Sequence, residues 1–214
     1  MKPLAILGGT FDPVHVGHLC VAWEASELLD AEVHLVPASV PPHRPPPVAS
    51  AAQRVAMLRA ALAGQDRLGL DLRELERAGP SYTVDTLAAL RAEHGTRPLV
   101  LLMGADAFAG LTGWHRWRDL FDLAHIGVLS RPGDPPSSPP ALQAAVAGRL
   151  VETAEALHGR PAGCVMSLDV TPLAISATRI RDRLAAGRLP RYLLPEGLFA
   201  EPGLLAPYRS TRRP

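Results

Sequence analysis

The sequence predicts an α/β protein with a Rossmann-like, doubly wound parallel sheet, helices on both faces and a small C-terminal helical portion. Short apolar runs alternate with amphipathic segments along most of the chain. Strands separated by helices of roughly 10 to 15 residues form right-handed crossovers, and these build a parallel sheet that is covered on both faces. The composition, with 47% hydrophobic and 20% charged residues, is that of an ordinary globular chain.

The predicted elements follow from these runs in chain order. Strands are predicted at residues 4–8, 32–37, 68–72, 98–103, 126–130 and 165–169. Helices are predicted at residues 17–29, 51–63, 83–93, 117–123, 141–157 and 176–186. The second helix follows Ser50, a good N-cap, and the fourth strand is a continuous apolar run of the kind found in sheets covered on both faces. Clusters of proline at residues 41–47 and 132–140 indicate loops.

A length of 214 residues predicts one domain with an elaboration, with two small domains as the alternative. We expect a single domain over residues 1–214. Within it, residues 1–130 form the Rossmann-like core, residues 131–140 a proline-rich loop, residues 141–200 a C-terminal part and residues 201–214 a tail.

Charge and hydropathy exclude several classes of protein. A net charge of +1 is too small for a globally basic nucleic-acid binder. No apolar stretch reaches the roughly 18 residues of a membrane span, and the N-terminus lacks the pattern of a cleavable signal, so the cytoplasm is the expected location. Cys20 and Cys164 show neither CxxC nor zinc-ligand spacing, which favours buried thiols over a disulfide or a metal site. The sequence leaves a homo-oligomer open.

The first predicted strand, turn and helix form an anion site by position. Gly8 and Gly9 allow a ligand to approach the backbone, Thr10 offers a hydroxyl, and the helix that follows directs free N–H groups and its positive dipole at the turn. His15 and His18 are predicted to face the anion as donors and, as imidazolium ions, to offset charge developing on phosphorus. The alternative is a tight turn with ordinary surface histidines.

Residues 8–18 resemble the GGTFDPxHxGH signature of the nucleotidyltransferase α/β-phosphodiesterase superfamily. The resemblance to bacterial nicotinate-nucleotide adenylyltransferases runs from residue 4 to about residue 194 through further ordered blocks. These are PPHR at 41–44, SYTVDTL at 81–87, GAD at 104–106, WHRW at 114–117 and ISATRIR at 175–181.

The resemblance implies transfer of an adenylyl group from ATP to nicotinate mononucleotide, giving deamido-NAD and pyrophosphate in NAD biosynthesis. ATP and nicotinate mononucleotide are the expected partners. Mg²⁺, held mainly by the ATP phosphates, is the expected cofactor, and no protein ligand to it is assigned. The residues expected to be catalytic are His15 and His18. The residues expected to bind ATP are Gly8, Gly9, Thr10, Phe11, His15, His18, Gly104, Asp106, Ile175, Ser176, Thr178 and Arg181. The residues expected to bind nicotinate mononucleotide are His43, Arg44, Tyr82, Thr83, Asp106, Trp114, His115 and Arg131.

Several of these residues have a structural alternative. Ser176 is a good N-cap, so its helix forms either a second anion site or a capped helix with a solvated basic face. Arg179 and Arg181 lie two positions apart, so at most one is predicted to reach a phosphate. Trp114 is placed either against a pyridine ring or in the core, and Asp106 either on a ribose diol or at a helix N-cap.

Three positions depart from the family pattern, and two other functions stay open. Ala177 replaces a common serine, Arg44 a common lysine, and His115 a common tyrosine. The same chemistry on another acceptor, such as nicotinamide mononucleotide, phosphopantetheine or a cytidylyltransferase substrate, is one alternative. A non-catalytic nucleotide-binding module is the other.

Overall fold

Six parallel strands form one sheet in the computed structural model, which describes residues 1–39, 45–130, 139–171, 173–201 and 203–209. The strands are β1 (Leu4–Gly9), β2 (Glu32–Pro37), β3 (Leu68–Leu70), β4 (Leu99–Gly104), β5 (His125–Ser130) and β6 (Val165–Asp169). Their order is β3-β2-β1-β4-β5-β6. Leu4 pairs with Glu32 on one side and with Leu99 on the other, so the chain winds outward in both directions from β1 and β4. The predicted doubly wound parallel sheet is confirmed.

Helices connect the strands. They are α1 (Val16–Leu28), α2 (Ala51–Leu62), α3 (Arg73–Glu76), α4 (Thr83–His94), α5 (Ala105–Ala109), α6 (Leu120–Leu123), α7 (Pro140–Val146), α8 (Ala154–His158), α9 (Ala177–Ala185) and α10 (Gly197–Ala200). Short 3₁₀ turns lie at Leu111–Gly113, Trp117–Asp119 and Ala206–Tyr208. The two predicted capping serines are confirmed, since Ser50 Oγ accepts the Gln53 N–H and Ser176 Oγ accepts the Arg179 N–H.

Two apolar cores lie on opposite faces of the sheet. Because side chains alternate along a strand, Ala5 and Leu7 of β1 enter one core and Leu4 and Ile6 enter the other. Buried residues of α1, α2, α9 and residues 203–208 complete the first core, and those of α4, α5, α6 and α7 complete the second. Helices therefore cover both faces, as the sequence predicts.

The predicted helix over residues 141–157 is wrong. Helix α7 ends at Val146, Gly148 adopts a left-handed φ of 75°, and Leu150 forms a parallel bridge to Val165 before α8 begins. A residue in that conformation ends a helix, and glycine adopts it at little cost. The predicted helix at residues 117–123 is also divided, into a 3₁₀ turn and α6.

The segment after the proline-rich stretch contributes to the same sheet, because β6 pairs with β5 from Ile126↔Val165 to Ser130↔Asp169. The proposed division of the chain into core, loop, C-terminal part and tail stays a prediction. Within the described residues no helix combines the length and apolar character required to cross a bilayer.

Candidate functional site

A cleft of about 780 Å³ lies where β1 leads into α1, at the carboxyl end of the strand. We call it the β1 cleft. Its lining residues are Gly8, Gly9, Thr10, Phe11, Asp12, His15, His18, Ala38, Pro45, Pro46, Pro47, Val48, Ser176, Ala177, Thr178 and Arg181. The turn before α1 and the first turn of α9 therefore share one cavity, although they come from opposite ends of the sequence. Ligands of open α/β sheets bind at this edge.

The two glycines of the turn are required for different reasons. A Cβ on Gly9 would lie 2.8 Å from Cζ of Phe11, whose ring is 2% exposed and folds back over the strand end. A Cβ on Gly8 would meet nothing within 4 Å. Gly8 is exposed and lines the cleft, so its lack of a side chain leaves room for a ligand against the backbone.

His15 and His18 stack at the entrance to α1. His15 is the N-cap residue of α1, and the two ring centroids are 3.6 Å apart at an interplanar angle of 18°. Nδ1 of His18 accepts the backbone N–H of His15 at 3.2 Å. A neutral His18 therefore carries its proton on Nε2 and is a hydrogen-bond donor there. Nδ1 of His15 is buried with no hydrogen-bond partner among the described residues.

The imidazolium state expected of these histidines beside an anion stays a prediction, and it is not their state in the free protein. Burial lowers the pKa of His15 to about 4. Burial, together with the charge on His15, lowers the pKa of His18 to about 3. Both rings are therefore neutral at pH 7 in the free protein, because desolvation disfavours the charged form.

The start of α9 forms the other wall of the cleft. Ser176, Ala177 and Thr178 line it. Arg181 reaches across the cleft wall, where Nη1 donates to the Asp12 carbonyl oxygen at 2.7 Å and Nη2 donates to Thr178 Oγ1 at 3.2 Å. Arg181 and not Arg179 lines the cleft, in agreement with the expectation that at most one of the two arginines faces it.

Three buried side chains that sequence reasoning missed hold the turn before α1. These side chains are those of Asp12, Arg54 and Tyr208, and each is at most 5% exposed. Asp12 accepts three hydrogen bonds, one of them from the Tyr208 hydroxyl. Arg54 donates from Nη1 to the Thr10 carbonyl at 2.8 Å. Arg54 carried a usable signal, because it lies on the same helical face as the apolar Met57 and Leu58. Nothing in the local sequence connects Tyr208 with residue 12.

The residues expected at the pyridine ring form a second group. Tyr82 is the N-cap residue of α4, and its ring lies 4.5 Å from that of His115 at a tilt of 36°. Trp114 and Tyr82 are half-buried and pack against the second apolar core. Ser81 Oγ accepts the Ser39 N–H at 3.0 Å, which attaches this segment to the end of β2. Thr83 begins α4 beside this group.

Three other expected residues, Gly104, Asp106 and Ile175, are absent from the lining of the β1 cleft. Gly104 ends β4 and Asp106 lies in the first turn of α5 with an exposed carboxylate, so Gly104 and not Asp106 is the N-cap residue. Ile175 is absent from the lining, and its Cβ lies 3.6 Å from the position that a Cβ on Gly17 would take. His43, Arg44 and Arg131 lie outside the described residues.

Neither cysteine joins a site. Cys164 is buried, and Cys20 is half-buried with its thiol donating to Glu24 at 3.6 Å. In the described part of the chain, no group of three or more His, Cys, Asp or Glu side chains is arranged to hold a metal ion.

Comparison with known proteins gives the family. The model of the cytidylyltransferase-like family matches residues 6–183. A Halorhodospira halophila protein named "probable nicotinate-nucleotide adenylyltransferase" is 50% identical over 199 residues, which cover 92% of this chain and 91% of that protein. The chain belongs to the nicotinate-nucleotide adenylyltransferase family. A Marinobacter nauticus protein of the same name is 53% identical over 195 residues, with 89% of each chain covered.

A solved structure shares the fold of this family member. Nicotinic acid mononucleotide adenylyltransferase of Plasmodium falciparum, complexed with NaAD, superposes with a TM-score of 0.64 at 16% identity and covers 88% of this chain and 86% of that chain. The family match spans both the turn before α1 and the first turn of α9. Both walls of the β1 cleft therefore lie within it.

Proposed function

We propose that this chain transfers the adenylyl group of ATP to nicotinate mononucleotide, giving deamido-NAD and pyrophosphate in NAD biosynthesis. The observation that carries the proposal is the β1 cleft, in which two stacked histidines and the N-termini of two helices face one cavity. Relatives about 50% identical over nine-tenths of the chain carry the name of this activity. ATP is a cytoplasmic metabolite, and the cytoplasm is the proposed location.

The reaction needs no enzyme nucleophile. The phosphate of the mononucleotide has a second pKa of about 6, so it is largely dianionic at neutral pH and attacks the α-phosphorus of ATP directly. Catalysis then consists of placing two anions in line and stabilising the charge that develops on the transferred and leaving phosphates. A cleft without a catalytic triad suits this chemistry.

The β1 cleft supplies donors for the ATP phosphates. The free N–H groups of α1 and α9 and the open backbone at Gly8 favour anions, and Thr178 and Arg181 add side-chain donors. Neutral His18 donates from Nε2. Because Nδ1 already accepts the His15 N–H, the ring stays neutral during transfer and stabilises the developing charge as a hydrogen-bond donor.

The second group of residues is proposed to bind the acceptor. The Trp114 N–H donates to the Leu111 carbonyl, so the backbone N–H groups beside it, near Tyr82, Thr83 and His115, are proposed to meet a ring carboxylate. An amide would direct its own N–H groups at them. Stacking on Trp114 favours either pyridine ring. Thr83, His115, His43, Arg44 and Arg131 complete the proposed acceptor site, with the arginines on its phosphate. The exposed carboxylate of Asp106, which follows Gly104 at the end of β4, is proposed to bind a ribose diol.

Enzymes of this family generally use a divalent metal with ATP. In the β1 cleft, the Asp12 carboxylate already accepts three hydrogen bonds from protein groups, which leaves little of it for a metal ion. This donor set fits a metal carried on the ATP phosphates and otherwise hydrated, which is the usual mode of Mg²⁺. We propose Mg²⁺, which when bound neutralises charge on the phosphates.

Pyrophosphate release from purified protein tests the proposal. ATP and Mg²⁺ are supplied with nicotinate mononucleotide, nicotinamide mononucleotide or phosphopantetheine, each over the same range of concentration. We expect the highest kcat/KM with nicotinate mononucleotide. A higher value with another acceptor would overturn the acceptor assignment, and no release with any of them would support a non-catalytic module. The His15→Ala/His18→Ala double variant is the control for contaminating activity.

A further inference from the structure

The carboxylate of Asp12 joins three parts of the chain at the β1 cleft. Oδ1 accepts the Ala49 N–H at 3.0 Å and the Tyr208 hydroxyl at 2.7 Å, and Oδ2 accepts the Val48 N–H at 2.7 Å. Nη1 of Arg181 lies 3.9 Å from Oδ2. The Asp12 carboxylate is therefore occupied mainly by hydrogen bonds from other parts of the protein, and little of it is left for a ligand.

Tyr208 comes from the opposite end of the sequence. It ends the 3₁₀ turn Ala206–Tyr208 and is 4% exposed, and the neighbouring Leu204 and Leu205 pack in the same apolar core. Burial and the adjacent Asp12 carboxylate raise the pKa of Tyr208 far above its usual value. Its hydroxyl therefore keeps its proton and donates to Asp12 at every physiological pH.

The backbone beside Asp12 is the part of the turn that lines the cleft. Phe11 has a left-handed φ of 49°, a conformation that a non-glycine residue adopts only where its surroundings impose it. Arg54 donates to the Thr10 carbonyl, and Arg181 donates to the Asp12 carbonyl. Side chains from α2, α9 and the C-terminal segment thus converge on residues 10–12, and each contacts a different atom of the turn.

We propose that Tyr208 is a positioning residue for adenylyl transfer, which acts through Asp12 to hold the turn at residues 8–12 in its ligand-binding conformation. The proposal rests on the proposed function of the β1 cleft. Tyr208 is buried and does not line the β1 cleft, so its proposed contribution lies in geometry. A small displacement of reacting groups, caused by a change far from the chemistry, lowers rates by about a hundredfold at the upper end.

The Tyr208→Phe variant tests this, because it keeps the buried ring and removes only the donor. We expect kcat to fall about ten- to hundredfold, while KM for nicotinate mononucleotide stays near the wild-type value. Leu198→Val on α10 is the matched control, since Leu198 is buried in the same core and makes no hydrogen bond to Asp12. Assays run below the melting transition of every variant. An unchanged kcat in Tyr208→Phe, or an equal loss in Leu198→Val, would overturn the proposal.

A double-mutant cycle with Asp12→Asn tests whether Tyr208 acts through Asp12. If Tyr208 acts through Asp12, the losses in kcat are far from additive, and Asp12→Asn/Tyr208→Phe resembles Asp12→Asn alone. Additive losses would place the effect of Tyr208 elsewhere.

Amide hydrogen exchange gives a readout that does not depend on activity. We expect faster exchange at residues 8–12 and 48–49 in Tyr208→Phe and wild-type rates there in Leu198→Val; unchanged exchange in Tyr208→Phe would overturn the proposal. Absence of pyrophosphate release from wild-type protein would instead refute the proposed function.

Discussion

The Gly8→Ala variant adds one methyl group at the end of β1, and we expect it to weaken ligand binding there without disturbing the fold. A Cβ on Gly8 would meet no protein atom within 4 Å, and the backbone of Gly8 is not left-handed, so the fold accepts the Gly8→Ala change. Replacing glycine by alanine lowers the conformational entropy of the unfolded chain, which stabilises the folded protein by roughly 0.4–1 kcal/mol. The methyl group nevertheless enters the β1 cleft, because Gly8 is exposed there.

The expected cost to ATP binding follows from contact distances. A carbon atom holds other heavy atoms at about 3.5–4.0 Å, whereas a hydrogen bond from a backbone N–H to a phosphate oxygen needs about 2.9 Å. Losing one charge-assisted hydrogen bond costs about 1.5–3 kcal/mol, or roughly a 10- to 150-fold rise in Kd. We therefore expect Gly8→Ala to weaken ATP binding by that factor without loss of stability.

Gly9→Ala is the matched comparison. Its Cβ would lie 2.8 Å from the buried Phe11 ring, so the ring or the strand must shift. Such overpacking costs about 1–3 kcal/mol, and each kcal/mol lowers the melting temperature of a chain of this size by about 2–4 °C. Calorimetry with a non-hydrolysable ATP analogue and thermal melting measure the two effects. Wild-type affinity in Gly8→Ala would refute a nucleotide contact at the end of β1.

Three further predictions concern the histidines and the acceptor site. His18→Ala should lower kcat by about two to three orders of magnitude with little change in mononucleotide affinity. Steady-state kinetics measure both, with His94→Ala as the control, and near-normal turnover in His18→Ala would remove His18 from catalysis. Trp114→Ala should weaken nicotinate and nicotinamide mononucleotides alike and preserve the ratio of their specificity constants, because stacking does not distinguish them; collapse of that ratio would show a direct contact with the carboxylate. The folded-state pKa of His15, about 4, lies below its unfolded value of 6.5, so the stability that neutral His15 confers is complete above pH 6.5 and is lost as the pH falls towards 4. Chemical denaturation between pH 7 and pH 4 should show this loss, and a His15→Asn variant with the same pH dependence would contradict the assignment.

Local patterns in the sequence predict the parts of this fold that depend on neighbouring residues. Residues 4–7 form a continuous apolar run, as expected of a strand covered on both faces, and their side chains enter opposite cores in turn. Ser50 and Ser176 cap the helices that follow them. The sequence does not predict the interruption at Gly148, because an apolar helical pattern continues on both sides of it. A glycine within such a pattern is compatible with either a helix or its end until tertiary contacts decide.

Long-range contacts and burial account for what the sequence did not predict at the candidate site. The Tyr208 hydroxyl and the Asp12 carboxylate are 196 positions apart, and no local pattern connects them. The neutral state of His15 and His18 depends on how deeply the folded chain buries them, whereas the sequence alone shows two titratable rings in a polar turn. The resemblance to a known family, and no local pattern, predicts that residues 8–18 and 176–181 belong to one site. In the structure these segments meet because α9 packs on the first apolar core.

The strand order has a consequence for synthesis of the chain on the ribosome. Strands β1, β2 and β3 are consecutive and adjacent, so the first third of the chain can pair as it emerges. The β1 cleft forms only later, because α9 is its second wall. The hydrogen bond to Asp12 also needs Tyr208, which lies near the end of the sequence. A nascent chain that stops before α9 therefore presents one half of the cleft. ATP, which stabilises only chains that bind it, would then favour finished molecules over arrested ones.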